Sequence, residues 1–312
     1  MPEKRVYYGG QAVIEGVMIR GPRTLAIACR NPEGAIIVRT EALGGVYSGL
    51  VRRLPLVRGA IVLWETLALG TRALMWSSNV AIGEQDEEPN SASMWGVAIA
   101  SLVVVGGIFF AGPLLLADFL HDLLGSDWLV IAVEGVIRLA IIVAYVGLIG
   151  LMPDVRRVYE YHGAEHKSIH ALEAGDPLEA AYVQRHPTAH VRCGTSFLLT
   201  VVVVSIFVFA AVGNPDLWLR VVSRIVLIPV IASIAYEIIR LGGAFESNPV
   251  TKVLLWPNLA LQAITTKPPD DAQVEVALRA LKEVLAADQP ATSAPGEPAL
   301  ETTAAAESPP LS

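Results

Sequence analysis

Residues 129–170, LVIAVEGVIRLAIIVAYVGLIGLMPDVRRVYEYHGAEHKSIH, join a long apolar run to a histidine-rich segment. The apolar run, 129–152, is long enough to cross the hydrocarbon core of a bilayer as an α-helix. The segment after it begins with a proline and ends before a Gly-Asp-Pro sequence, which predicts a second helix over 153–174. The stretch therefore predicts a membrane α-helical protein with a polar helix at one end of a span.

The polar helix contains the pattern His162-x-x-Glu165-His166, with His170 one turn further along. Residues four apart share a helix face, so the three imidazoles are expected to line up. Two neutral imidazoles at this spacing can hold one metal ion, and an adjacent glutamate can act as a base toward a polarised water. The order His-x-x-Glu-His is that of the inverted zincins. The segment therefore predicts a divalent-metal site, with zinc as the expected ion.

The composition is typical of a membrane protein. Hydrophobic residues make up 53% of the 312 residues, charged residues make up 17%, and the mean hydropathy is +0.51. The chain has no basic stripe, so no nucleic-acid partner is expected. Cys29 and Cys193 are far apart in sequence, which predicts free thiols and fits a reducing compartment. Gly, Glu and Arg interrupt the first apolar stretch, so no signal peptide is expected.

Four apolar segments predict a domain whose main partner is the lipid bilayer. Lys and Arg number ten in residues 1–93, five in 153–193 and five in 240–312, against none in 118–128 and 214–216. The positive-inside rule then predicts a multi-pass protein with both termini and the histidine-bearing link in the cytoplasm. The four predicted spans are Met94–Ala117, Leu129–Met152, Gly194–Gly213 and Leu217–Ile239.

The remaining sequence predicts an α+β arrangement around the membrane domain. Gln11–Arg20, Arg23–Arg30 and Ala35–Leu43 are separated by turn sequences and predict the strands of a small N-terminal antiparallel β-sheet. The predicted regions are a cytoplasmic β-rich region (1–53), an interfacial amphipathic helix (54–82), an acidic linker (83–93), a four-span membrane domain (94–266) with the cytoplasmic link 153–193, an amphipathic C-terminal helix (267–287) and a disordered tail (288–312).

The predicted metal ligands come from separate parts of the chain. Five of the six histidines fall within residues 162–190. A catalytic zinc uses three protein ligands and keeps one position open. We therefore assign His162 and His166 as ligands and take the third from Glu237, His190 or Cys193, with His170 as a further donor on the same helix face.

Three residues are predicted to be catalytic. Glu165 is the expected general base. Arg192 could polarise a carbonyl group or pair with a phosphate. Cys193 could act as a nucleophile activated by a nearby imidazole, in place of a ligand role.

Simpler interpretations exist for these residues. The histidine face could be solvated, Glu237 could pair with Arg240 at the end of a span, and Cys193 could be a small buried hydrophobic residue. Glu15, in a glycine-flanked strand, could mark a close-approach site or be an edge-strand charge that faces water.

Several longer sequences resemble a known family. They are GGQAVIEGVMIRGP (9–22), PLVRG (55–59), YHGAEHK (161–167), RCGTSF (192–197) and Tyr236-Glu237. Together they resemble the YqhQ-like bacterial membrane proteins, a family of unknown function described as predicted metal-dependent. This resemblance covers about residues 5–285 and implies a bacterial inner-membrane protein with its site on the histidine helix. The family pattern has His-Pro before Arg-Cys-Gly-Thr, whereas this chain has His190-Val191.

Two functions are compatible with these patterns. The first is a metal-dependent hydrolase at the cytoplasmic face of the membrane, acting on a peptide or a lipid-linked substrate. The second is a non-enzymatic scaffold or regulator with a structural metal, in which the N-terminal sheet or the C-terminal helix binds a protein partner. A transporter is less favoured, because four spans with few intramembrane charges offer little pathway.

Overall fold

The computed structural model of the chain describes residues 8–44, 54–55, 57–84, 91–213, 215–245 and 248–288. Most of the predicted acidic linker, at 85–90, and the predicted disordered tail from 289 onward lie outside the described residues. The strands are β1 (Gly9–Val13), β2 (Gly16–Arg20), β3 (Thr24–Arg30) and β4 (Ile36–Ala42). The helices are α1 (Val57–Ala81), α2 (Ser91–Gly106), α3 (Gly112–Phe119), α4 (His121–Leu124), α5 (Asp127–Ile149), α6 (Pro153–Ala174), α7 (Ala180–Val183), α8 (Gly194–Val212), α9 (Leu217–Val226), α10 (Ile228–Ala244), α11 (Pro249–Thr265) and α12 (Asp271–Asp288), with a π-helical turn at Gly107–Ala111.

Both faces of the antiparallel sheet are covered by helices. The strand order is β1-β2-β3-β4, and alternate side chains point to opposite faces. One face packs against α6 and α12 through buried residues that include Ile19, Tyr161 and Leu281. The other face packs against α1, where Met18 meets Ala73. The predicted histidine helix and C-terminal helix are therefore both present, and the sheet fixes the position of α6.

The first predicted strand is divided in two, so the sheet has four strands and not the three predicted. Val13 pairs with Gly16 across a two-residue loop, and the ladder continues to the pair Gly9–Arg20. Glu15 in this loop has a φ of 52°, a left-handed conformation that non-glycine residues seldom adopt. The sequence Ile-Glu carries no turn signal, so the hairpin depends on contacts from elsewhere in the chain.

Contacts from three other elements hold this hairpin loop. Ser77 Oγ on α1 accepts the backbone N–H of Ile14 at 3.2 Å, and Glu15 O accepts the N–H of Arg30 at 2.8 Å. The Glu15 carboxylate accepts two hydrogen bonds from Arg157 on α6, one of them at 2.6 Å. Glu15 is therefore an anchor between the sheet and α6 rather than an edge charge that faces only water.

Two helices in the described residues are long and apolar enough to cross a membrane. They are Ile99–Phe119, which is interrupted by the π-helical turn, and α5. The third predicted span corresponds to α8, and its apolar part Phe197–Val212 is not among the candidate spans in the described residues. Two candidate spans are consistent with membrane association, but the expected four are not confirmed.

The fourth predicted span is a broken helix. Trp218–Val226 and Ile228–Ala244 are bent by 45° relative to each other, and they count as a third span only if the bent pair is taken as one. Pro229 follows the break, and proline has no N–H to continue the helical ladder. Hydropathy alone therefore overestimated the length of continuous helix in this part of the chain.

A buried charge cluster connects the apolar helices. Glu134 and Arg138 are one turn apart on α5 and pair at 2.6 Å, and Arg224 on α9 donates to the same carboxylate at 2.8 Å. These three side chains are each 3% exposed. Each guanidinium group has a further contact. Arg138 Nε donates to Phe109 O in the π-helical turn at 3.0 Å, and the Arg224 guanidinium lies over the ring of Phe209. One carboxylate thus orders two guanidinium groups in an apolar region.

Replacing this carboxylate should be costly. We expect Glu134→Gln to lower the free energy of unfolding by about 3–5 kcal/mol, because it leaves two buried guanidinium groups without a counter-ion. The matched control is Glu283→Gln, since Glu283 pairs with Arg279 at 2.9 Å and both side chains are exposed, at 36% and 57%. That change should cost about 1 kcal/mol or less. Unfolding by SDS titration in mixed micelles measures both, and equal losses would contradict the role given to the cluster.

Candidate metal site

Helix α6 presents a largely buried polar face. Glu165 and His166 are 5% and 2% exposed, and His162 and His170 are partly buried. The opposite side of the same helix packs Tyr161 and Ile169 into the core beneath the sheet. The imidazoles are therefore enclosed by other parts of the chain, and the solvated-face interpretation does not hold for α6.

Each of the three imidazoles on α6 is oriented by a backbone carbonyl from another segment. His162 Nδ1 lies 3.0 Å from Thr265 O, His166 Nδ1 lies 2.5 Å from Thr188 O, and His170 Nε2 lies 2.9 Å from Ala189 O. A carbonyl oxygen can only accept, so each of these ring nitrogens carries the hydrogen. In the neutral ring the other nitrogen then presents a lone pair, which is the arrangement used by metal-binding histidines.

The lone pairs of the first two imidazoles point toward other donor atoms. His162 Nε2 lies 3.2 Å from Cys193 Sγ, and one ligand atom each from His162, His166 and Cys193 lie within 4.8 Å of one another. His166 Nε2 lies 3.5 Å from a carboxylate oxygen of Glu165. In the neutral ring two lone pairs face each other there, and a proton or a cation between them would satisfy both. The donor set is thus one that a metal ion would fit.

A small cleft opens beside these donors. Its volume is about 40 Å³, and its lining includes Gly10 of β1 together with Glu165 and Arg192. A water molecule needs about 10–15 Å³ of such space. The cleft can therefore admit water next to Glu165.

A second polar group lies one turn along α6. One ligand atom each from His170, Glu173 and His190 also lie within 4.8 Å of one another. His190 Nδ1 accepts the backbone N–H of Arg192 at 3.2 Å, so its Nε2 carries the hydrogen and faces Glu173 at 3.4 Å. The Arg192 guanidinium pairs with the same carboxylate. In this tautomer His190 is a hydrogen-bond partner of Glu173, and Cys193 is the better third donor for the first group.

Electrostatics keep His170 neutral. Its pKa is lowered to about 4, chiefly by burial and also by the neighbouring imidazoles of His190, His166 and His186, against the opposite effect of the hydrogen bond to the Ala189 carbonyl. A neutral ring has a lone pair available at neutral pH. His170 is therefore able to act as a donor in the second group.

Two polar side chains hold the loop that brings residues 188–193 to α6. The Lys167 ammonium donates to Gln184 O at 2.7 Å and to His186 O at 2.6 Å. Gln262, fully buried on α11, bonds both backbone groups of His190, at 2.7 and 2.9 Å. Helix α11 was not predicted, and neither Gln262 nor the carbonyl of Thr265 gives a sequence signal for a role at the site.

The structure does not bring Glu237 to the other donors. Its carboxylate accepts from Arg58 Nε at 2.6 Å and is also bonded by the second guanidinium nitrogen of Arg58. Arg240, the alternative partner considered from the sequence, is further away at 3.9 Å. Helices α1 and α10 pack closely here, since a Cβ at Gly59 would lie 2.5 Å from the Cα of Ser233. We therefore remove Glu237 from the ligand set.

Comparisons with known proteins agree with these sequence patterns. A family model described as "Protein of unknown function (DUF1385)" matches residues 54–287. The chain is 33% identical over 292 residues to "Uncharacterized protein YqhQ" of Bacillus subtilis (strain 168), covering 89% of this chain and 92% of that protein. No solved structure matches. The resemblance to YqhQ is confirmed, and the chain belongs to the DUF1385 family.

Proposed function

We propose that this protein is a membrane-associated, metal-dependent hydrolase whose ion is held by His162, His166 and Cys193. The observation that carries the proposal is the fixed tautomer of both imidazoles. Backbone carbonyls hold their Nδ1–H groups, so Nε2 of His162 is turned to Cys193 Sγ at 3.2 Å. Histidines that bind a metal ion almost always donate their other ring N–H to an acceptor of this kind.

The donor set favours zinc. Two imidazole nitrogens and a thiolate suit this ion, and three protein ligands leave a position open for water or substrate. The other cysteine, Cys29, is buried within the sheet, so it is not a nearby partner for a disulfide with Cys193. A cysteine binds a metal ion as the thiolate, so metal binding releases the thiol proton.

A bound zinc ion would supply Lewis acidity and lower the pKa of a water. Glu165, beside the cleft, would accept the proton of that water as its oxygen adds to the carbonyl or phosphoryl centre. The same carboxyl group would return the proton to the leaving group as the old bond breaks. Arg192, oriented by Glu173, lines the cleft and would bind the oxygen on which negative charge develops.

The position of α6 supports a site close to the membrane surface. Only Gly150, Leu151 and Met152 separate the candidate span α5 from α6. The Lys and Arg distribution favours the cytoplasmic face of a bacterial inner membrane, with both termini on that side. A membrane-tethered peptide or a lipid-linked molecule would be held at this surface of the membrane, close to the site.

The second candidate function is a scaffold or regulator with a structural metal. The burial of Glu165 and His166, which are 5% and 2% exposed, favours it, because structural metal sites are closed to substrate. In this case the sheet and α12 would be the surfaces that bind a protein partner. The two candidates differ in what the Glu165 carboxylate is needed for.

Metal content tests the site. We expect purified wild-type protein to contain about one zinc per chain by plasma mass spectrometry, and the double variant His162→Ala/His166→Ala to contain almost none. Glu237→Gln is the control and should keep the metal, since that carboxylate is bonded to Arg58. Added zinc should stabilise the wild type by about 2.7 kcal/mol at one hundred times its dissociation constant. Equal, near-zero zinc in wild type and double variant would overturn the site.

Glu165→Gln separates the two functions. It should keep the metal but lower turnover by about 100-fold to 10,000-fold, because the amide cannot accept the proton. Membranes from cells that carry this variant should then accumulate the same uncleaved molecule as membranes from cells that lack the protein, as read by mass spectrometry. A variant with normal zinc and a wild-type membrane profile would reject the hydrolase in favour of the scaffold.

A further inference from the structure

We infer that the substrate of this site is an extended polypeptide segment that binds as an added strand along the free edge of β1. This inference rests on the proposed hydrolase and names its substrate class. Strand β1 lies at one edge of the sheet, and among the described residues no other strand pairs on its outer side. Exposed strand edges bind peptides through main-chain hydrogen bonds.

The register of the first hairpin shows which backbone groups face that edge. The two residues that flank a two-residue hairpin loop bond each other through their backbone groups. Along each strand of an antiparallel pair, a residue bonded in this way alternates with a residue whose N–H and C=O point away from the partner strand. Val13 and Gly16 flank the loop here. Gly10 and Ala12 are therefore the residues of β1 whose backbone groups point away from β2, and the described backbone contacts give these groups no partner across the edge.

The same edge leads directly to the candidate catalytic group. A Cβ placed on Gly10 would lie 3.1 Å from the Cγ of Glu165, so β1 and α6 approach closely at this point. Gly9 and Gly10 are exposed and line the cleft together with Glu165 and Arg192. A strand paired with Gly10 and Ala12 would place one of its carbonyl groups at the mouth of this cleft.

The backbone groups along this edge favour a polypeptide over a lipid headgroup. Outward N–H and C=O groups in alternation match the amide backbone, whereas a phosphate offers acceptors alone. The cleft, at about 40 Å³, has room for a water molecule beside a carbonyl oxygen.

Binding of a defined peptide tests the inference without relying on turnover. The probe is a fluorescein-labelled Lys-Val-Ala-Gly-Ala-Val-Lys amide, and the protein is the full chain in detergent with Glu165→Gln, so that bound peptide is not cut. Fluorescence anisotropy should show saturable binding. Two further probes carry N-methyl groups at the odd or at the even positions, and we expect one of these to bind like the parent and the other to lose at least tenfold in affinity.

A variant of the edge strand provides the matching test on the protein side. Ala12→Pro removes one outward N–H and keeps the ladder to β2, a change that edge strands tolerate. It should weaken binding of the parent peptide about fivefold, the equivalent of one hydrogen bond of about 1 kcal/mol. Ala12→Ser keeps the N–H, so it should bind this peptide with the same affinity as the protein that carries Glu165→Gln alone. Gly10→Ala is not used, because its Cβ would lie 2.3 Å from the carbonyl oxygen of Met18.

The outcomes separate this inference from the proposed function. No binding of the parent peptide, or equal binding of both N-methylated probes and of Ala12→Pro, would overturn the edge-strand inference, even if wild-type protein contains zinc and hydrolyses another substrate. Alternating sensitivity to N-methylation with no cleavage by zinc-loaded wild type would keep the edge as a peptide-binding surface and reject the hydrolase.

Discussion

The imidazole N–H groups on the polar face of α6 need acceptors that α6 cannot supply. Carbonyls inside a helix are already bonded to N–H groups four residues later. The chain meets this requirement with carbonyls from two other segments, at residues 188–189 and at Thr265. Those bonds fix the ring tautomers and at the same time draw the loop before α8 and the end of α11 onto α6. The arrival of Cys193 beside His162 is a consequence of that arrangement.

Sequence periodicity predicted the parts of this site that lie on one element. The spacing of His162, Glu165 and His166 placed them on a single helix face, and α6 has the predicted bounds, 153–174. The sequence also named Cys193 among three options for the third donor. It could not choose, because the choice depends on how the loop folds back and on Arg58, which bonds Glu237 from a helix 179 residues away in sequence. Long-range ion pairs of this kind have no local signature.

In the fold, too, the sequence predicted local features but not contacts between distant segments. Hydropathy located the apolar helices, and the pair of Glu134 and Arg138 follows from their i,i+4 spacing on one helix, so both depend only on short stretches of sequence. The break before Ile228 and the joining of Arg224 to that pair depend on tertiary packing. The turn at Ile14-Glu15 was missed for a related reason, since Ser77, Arg30 and Arg157 supply what turn-forming residues normally supply.

The first and last hairpins of the sheet therefore differ in which contacts hold their loops. The β3–β4 connection is held by neighbours in sequence, with the amide oxygen of Asn31 accepting from the N–H of Ala35 at 2.8 Å. The β1–β2 connection is anchored by α1, β3 and α6 together. Insertions and deletions among relatives should therefore accumulate around residues 31–35. Residues 9–20 should keep a constant length, because a slip of one position would turn every side chain of β1 to the opposite face.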